Sequence, residues 1–225
     1  EHALVLLTTN GLQTDTLTFD SESGMYVGDE LAKAGNTYRC EVQLDNYKTL
    51  VAETSIPQPM ALDSVQHIRH GGRDEEGVVF PTVKVTFRTQ PGQRQYFEVY
   101  LSDGYLIYIT DPVILNEGLP VALFSNELIA DSVYTLSLNV ETGSSVGWDG
   151  ESYVTMSPYT VEVRSVHADY YRYMKQRYLY QLGIEGDGFT SPVAAFPMFS
   201  NVQNGYGIFT GYSKAVSDTI ETRVR

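Results

Sequence analysis

Cysteine is nearly missing from this chain of 225 residues; Cys40 stands alone. One thiol excludes a disulfide framework within the chain and leaves no thiolate set for structural zinc. Basic residues are also scarce, with 15 Lys and Arg against 28 Asp and Glu and a formal net charge of -13. That balance opposes binding to nucleic acid or to an anionic membrane surface unless a local basic patch overrides it, and Arg172, Lys175 and Arg177 are too few to make one. Charge of this sign mainly keeps a protein soluble and apart from its copies. No apolar run approaches the roughly 18 residues of a membrane-spanning helix. Tryptophan occurs once, at Trp148, so the Cys-Trp-Cys core of an antibody-type domain is missing.

What is present is length enough for a core, since a domain of about 150 residues or more buries roughly 70% of its unfolded surface. Cys40 sits in the alternating run 37–44 and reads as a small apolar packing residue. The paucity of cysteine leaves the compartment open, because an exported protein with its own core needs no disulfides. The chain opens on Ala3-Leu4-Val5-Leu6-Leu7, already strand-like, and the expectation is that a natural start carrying a targeting sequence precedes it.

Residues 1–57 read as short strands at 3–9, 14–19, 36–44 and 48–54, separated by Asn10-Gly11, Ser23-Gly24, Ala34-Gly35 and Asp45-Asn46. This spacing predicts a β-sandwich or barrel module, here an incomplete one. Pro57 and Pro59 remove backbone donors and force an extended connection, placing a linker at 57–60. In 58–225 the alternation is cleaner: Val83, Val85 and Phe87 point one way while Lys84, Thr86 and Arg88 point the other. Segments 97–101, 134–140 and 161–164 repeat it, and with 62–68 and 105–109 they predict an Ig-like or fibronectin-like sandwich. The fold class is therefore mainly β, two sandwich modules, the second with a short helical insertion before its last strand.

That helix is placed near 168–182. Asp169 or Ser165 caps its start, Gly183 ends it, and Arg172, Lys175 and Arg177 lie later, where positive charge suits the helix dipole. Tyr170, Met174 and Tyr178 form one stripe with Tyr173 beside them. Two readings stand: a core-packing stripe, or an aromatic platform for a sugar or a partner. On the second reading the candidate contacts are Tyr170, Tyr171, Tyr173, Tyr178 and Tyr180, with Trp148. The stretch 196–213 then gathers Phe199, Tyr206, Phe209 and Tyr212 around three glycines with hardly a charge, which predicts an interior segment. Asn204-Gly205 predicts a tight turn into a final strand at 206–212, with Gly207 and Gly211 marking close backbone approach or a bulge.

Four patterns bear on chemistry. Gly143-Ser144-Ser145-Val146-Gly147 fits the G-x-S-x-G of a hydrolase nucleophile elbow, with Asp149, His167 and Asp169 downstream. An elbow needs a helix after the serine, whereas Trp148-Asp149-Gly150 follows, and a polar hairpin loop explains the pattern. His67 and His70 form H-x-x-H near Asp74, Glu75 and Glu76, but the segment reads as a solvated hairpin connection without a third fixed ligand. Gly205 to Gly211 has its third glycine one place too late for a phosphate loop. Asp149 and Glu151 beside Trp148 are the nearest approach to a glycosidase pair. No catalytic residue, metal or cofactor is expected.

Three runs carry a family likeness: V-A-E-T-S-I-P at 51–57, D-Y-Y-R-Y-M at 169–174 and F-S-N-V-Q-N-G-Y-G-I-F-T-G-Y-S at 199–213. They resemble the domain of unknown function 4249 family, over nearly the whole chain. The resemblance implies an exported Bacteroidetes protein, made with a lipoprotein signal and tethered to the outer membrane through a lipidated N-terminal cysteine missing from this chain. It also implies an outer-membrane TonB-dependent transporter or other envelope protein as partner, and no defining catalytic activity. Cys40 does not sit in a lipobox. Gly24-x-Tyr26 and Ala34-Gly35-x-x-Tyr38 look like transthyretin-like or carboxypeptidase-regulatory-like surface modules. The functional expectation is a non-enzymatic envelope lipoprotein that binds a partner or ligand; the alternatives are a carbohydrate-binding module and a serine hydrolase using Ser145.

Overall fold

Extended strands need partner strands beside them for their backbone N–H and C=O groups, and the first 55 residues pair into one sheet. The computed structural model describes residues 3–29, 31–73, 79–102, 107–109, 111–119, 121–140, 143–146, 152–155, 157–185 and 197–222. Strands β1 (Leu4–Thr9), β2 (Gln13–Asp20), β3 (Met25–Val27), β4 (Thr37–Gln43) and β5 (Leu50–Ser55) form an antiparallel sheet in the order β3-β2-β1-β4-β5. Asn10 and Gly11 take φ of 51° and 69°, a left-handed pair that lets β1 fold back on β2. Cys40 pairs with Leu7 and Ala52. Burial pushes its thiol up, and the Glu41 carboxylate adds to this, as suits a packing residue.

The chain divides into two units, Glu1–Gln58 with Val166–Ser213, and Pro59–Ser165 with Lys214–Arg225.

The second unit is built from two four-stranded sheets. One runs β6 (Leu62–Arg73), β7 (Val79–Arg88), β11 (Val133–Val140), β9 (Ile107–Ile109); the other runs β10 (Leu123–Ser125), β8 (Tyr96–Leu101), β14 (Val161–Val166), β15 (Tyr212–Val216). Helix α1 (Pro112–Leu115) and the hairpin of β12 (Gly143–Val146) and β13 (Ser152–Thr155) complete it. The predicted alternation holds: Val83, Val85 and Phe87 are buried, and they meet Phe97, Val99, Leu136, Leu138, Val161 and Val163 in one core. Phe87, Phe97 and Phe124 pack as a triad with ring centroids 5.6 to 6.2 Å apart. This is the expected sandwich, and the chain is mainly β.

After β14 the chain enters α2 (Ala168–Glu185), three residues longer than expected at its end, and both α2 and the stretch 197–213 belong to the first unit. The helix precedes the last strand as expected, between the paired strands β14 and β15. One expectation is corrected here: 206–211 is not a strand. The cause is the free edge of β5, which 197–213 follows instead. Gln203 N–H donates to Val51 O at 2.8 Å, Val51 N–H returns a bond at 3.4 Å, and the Asn204 amide donates to Thr49 O at 2.9 Å. Close approach is possible because a Cβ is missing at Gly211, where it would stand 2.8 Å from Ile56 Cγ1. The final strand starts only at Tyr212, pairs with β14, and is followed by Ser217 N–H bonding Val161 O at 2.9 Å.

Candidate functional site

The closing stretch holds its own shape through side-chain amides and hydroxyls. Asn201 Oδ1 accepts from Phe209 N–H at 2.9 Å and its Nδ2 donates to Phe209 O at 2.8 Å. Ser200 Oγ accepts from the N–H groups of Val202 and Gly207, both at 3.2 Å. The start of α2 is tied in as well: Asn201 Nδ2 reaches Asp169 Oδ2 at 3.2 Å, Phe199 N–H donates to Gln176 Oε1 at 2.5 Å, and the Arg172 guanidinium lies 4.6 Å from the Phe199 ring centre.

Asn204, at φ 63°, turns the chain outward. Two residues later Tyr206 stands 98% exposed, between the bonded Asn204 and Gly207. The Thr49 carbonyl that receives Asn204 lies two residues from Tyr47, itself 73% exposed beyond the left-handed Asn46. Two exposed tyrosines therefore stand on two turns that the Asn204 to Thr49 bond joins. The expectation of an interior segment is corrected for Tyr206 and Tyr212, both exposed, while Phe199 and Phe209 are half-buried.

The tyrosines of α2 do not share a plane. At about 100° per residue, Tyr171 and Tyr178 fall on one side of the helix and Tyr173 and Tyr180 on the opposite side, with Tyr170 between. Four are half-buried and Tyr180 is exposed; Lys175 donates to Tyr171 OH at 3.2 Å. A flat stacking platform needs them together, so the helix does not provide one. Trp148, Asp149 and Glu151 lie outside the described residues.

A family model described as Domain of unknown function (DUF4249) matches residues 1–218. The chain belongs to this family. The DUF4249 match takes in the five-stranded sheet, the sandwich and the closing stretch alike. Comparisons with curated proteins and with solved structures give no match.

Within this DUF4249 chain the motifs with a chemical reading are placed as follows. Ser145 lies inside β12, opposite Tyr153 of β13 in an antiparallel hairpin, not on the strand-to-helix turn of a nucleophile elbow and not in a loop. His67 and His70 both stand on β6, which runs on through Arg73 where a hairpin connection was expected. His67 Nδ1 is hydrogen-bonded to the buried Tyr159 hydroxyl at 2.9 Å, and burial, then Arg69, hold its pKa below the ordinary value. No three His, Cys, Asp or Glu gather as metal ligands among the described residues.

Sequence reasoning missed the buried acids Glu98, Asp111 and Glu117. Glu98, 2% exposed, lies under Arg164, whose guanidinium sits 4.0 Å from the Tyr100 ring centre. Asp111 caps α1 through Val113 N–H at 3.0 Å and also receives Tyr134 OH at 2.8 Å and Ser137 N–H at 3.0 Å. Burial, and secondarily this carboxylate, push the Tyr134 phenol far above its usual range. These are supports of the sandwich. Asp111 before Pro112 was the available signal, since that pair starts a helix.

Proposed function

We propose that this chain is a non-catalytic binding protein of the cell envelope, and that it docks a partner protein through the Tyr206 and Tyr47 turns. The observation that carries the reading is the 98% exposure of Tyr206 on a loop fixed by the Asn201, Ser200 and Asn204 bonds. A loop backbone held in this way loses little further conformational entropy on binding, and tyrosine is enriched among residues that dominate interface energetics. Export, a lipidated N-terminus at the outer membrane and a TonB-dependent transporter as partner complete the reading; they rest on the family resemblance.

The test is affinity capture from detergent-solubilised envelopes of the native host. Wild-type protein recovers one envelope partner reproducibly, and Tyr206→Ala lowers that recovery at least about tenfold with an unchanged circular-dichroism spectrum. Equal recovery by the variant, or no envelope partner with the wild type, contradicts the proposal.

A further inference from the structure

A second feature of the first unit lies where β1 runs into the Asn10-Gly11 turn. A groove of about 540 Å³ opens there, lined among others by Thr8, Asn10, Arg39, Glu53 and Ser55 with His167. Strand register places Thr8, Arg39 and Glu53 side by side in one row across β1, β4 and β5, so their side chains leave the same face about 5 Å apart. The volume falls within the range of small-molecule sites.

The lining groups are held by bonds that leave other atoms unspent. Arg39 donates through Nη1 to Glu53 Oε1 at 2.6 Å and through Nε to Glu41 Oε1 at 2.7 Å, leaving further guanidinium N–H groups and Glu53 Oε2. Thr8 Oγ1 is fixed against Thr14 Oγ1 at 3.0 Å. Asn10 Oδ1 accepts from Thr37 N–H at 2.9 Å, which leaves its amide donors. His167 Nδ1 accepts from Asp169 N–H at 3.2 Å, so the neutral ring carries its proton on Nε2 as a donor. Donors and acceptors therefore stand fixed and interleaved.

Each other class of small ligand meets an obstacle. An apolar molecule would strip water from the charged Arg39 and Glu53 side chains in the lining. An anion meets a guanidinium already flanked by Glu41 and Glu53, and a metal ion has only Glu53 and His167 among the lining residues as ligands. A hydroxyl both donates and accepts, so a neutral polyhydroxylated molecule pairs with a carboxylate and a guanidinium at once. We infer that the groove is a binding site for a neutral saccharide, with Arg39, Glu53, Asn10 and His167 as its contacts. The inference is independent of the Tyr206 reading and of the helix tyrosines.

The test is titration of the purified protein, followed by saturation-transfer NMR and calorimetry. The probes are glucose, galactose, mannose, N-acetylglucosamine, maltose, cellobiose and lactose, with glucose 6-phosphate as the charged comparison. At least one neutral sugar binds with Kd of about 1 mM or tighter. Arg39→Lys and Glu53→Gln, both at well-exposed side chains, each weaken it at least about tenfold without moving the thermal midpoint, because a fixed polar site is sensitive to one misplaced partner. Tyr206→Ala leaves sugar binding unchanged, which separates this site from the partner-docking turns. A disaccharide favoured over its monosaccharide makes the ligand a glycan chain; the reverse makes it a free sugar. No neutral sugar binding up to about 20 mM, binding insensitive to both substitutions, or tighter binding of the phosphorylated sugar overturns the inference.

Discussion

Asn201 and Phe209 are joined as two strand residues would be, except that one partner is a side chain: the Asn201 amide accepts from Phe209 N–H and donates to Phe209 O. This closes the loop that presents Tyr206 without any strand pairing across it. Removing the amide leaves two half-buried backbone groups and Asp169 Oδ2 short of a partner. Asn201→Ala is expected to cost roughly 2–3 kcal/mol, seen as a lowered urea midpoint with unchanged slope. A midpoint within about 0.5 kcal/mol of wild type would mean the loop is held elsewhere.

Asn204 combines a left-handed backbone at φ 63° with the bond to Thr49 O. Asn204→Ala loses both the bond and the easy conformation and is expected to cost about 1–2 kcal/mol, whereas Asn204→Gly keeps the conformation and costs less. Thermal unfolding of the pair checks the order. Glycine as the worse of the two would remove backbone conformation as the reason for asparagine here.

In the sandwich, Asp111 serves α1 and β11 together through Val113, Tyr134 and Ser137. Asp111→Ala strands three donors, two of them backbone N–H groups, and is expected to cost roughly 3 kcal/mol or more. Tyr134→Phe removes one bond only and is expected near 1 kcal/mol. Chemical denaturation of both variants measures the ratio, and equal losses would mean that Tyr134 carries the whole effect.

His67 gives a pH dependence whose sign follows from its lowered pKa. The folded protein takes up the proton less readily than the unfolded chain, so the His67 contribution is fully present above the ordinary value of 6.5 and is lost as pH falls below it toward the folded value. Stability measured between about pH 7 and 5 is therefore expected to fall more steeply in wild type than in His67→Gln. Parallel curves for the two proteins would remove His67 from the account.

The sandwich was legible because its strands carry a clear apolar alternation, as Val83, Val85 and Phe87 against Lys84, Thr86 and Arg88 show, and a one-residue slip would invert every side chain. The place of 197–213 was not legible. Its aromatics and glycines suit an interior strand and an edge-covering loop equally, and only the tertiary bonds of Asn201 and Asn204 to distant backbone decide. The same limit hid Tyr206: Asn204-Gly205 announces a turn, but whether the next residue points inward or to solvent depends on the β5 edge some 150 positions earlier in the chain, as the Asn204 to Thr49 bond spans 155 residues. The α2 tyrosines were legible as a helix, yet the reading of them as one surface overlooked the opposite bearings of Tyr171 and Tyr173.

The most direct measurement places a photo-crosslinking amino acid at position 206 in living cells, with a second protein labelled at the exposed Leu128 of the sandwich for comparison. The account predicts one discrete crosslink to an envelope protein from position 206 that is missing from position 128. Identical adducts from both positions, or none from 206 in cells where the protein is made and exported, would contradict the claim that the Tyr206 turn is a docking surface.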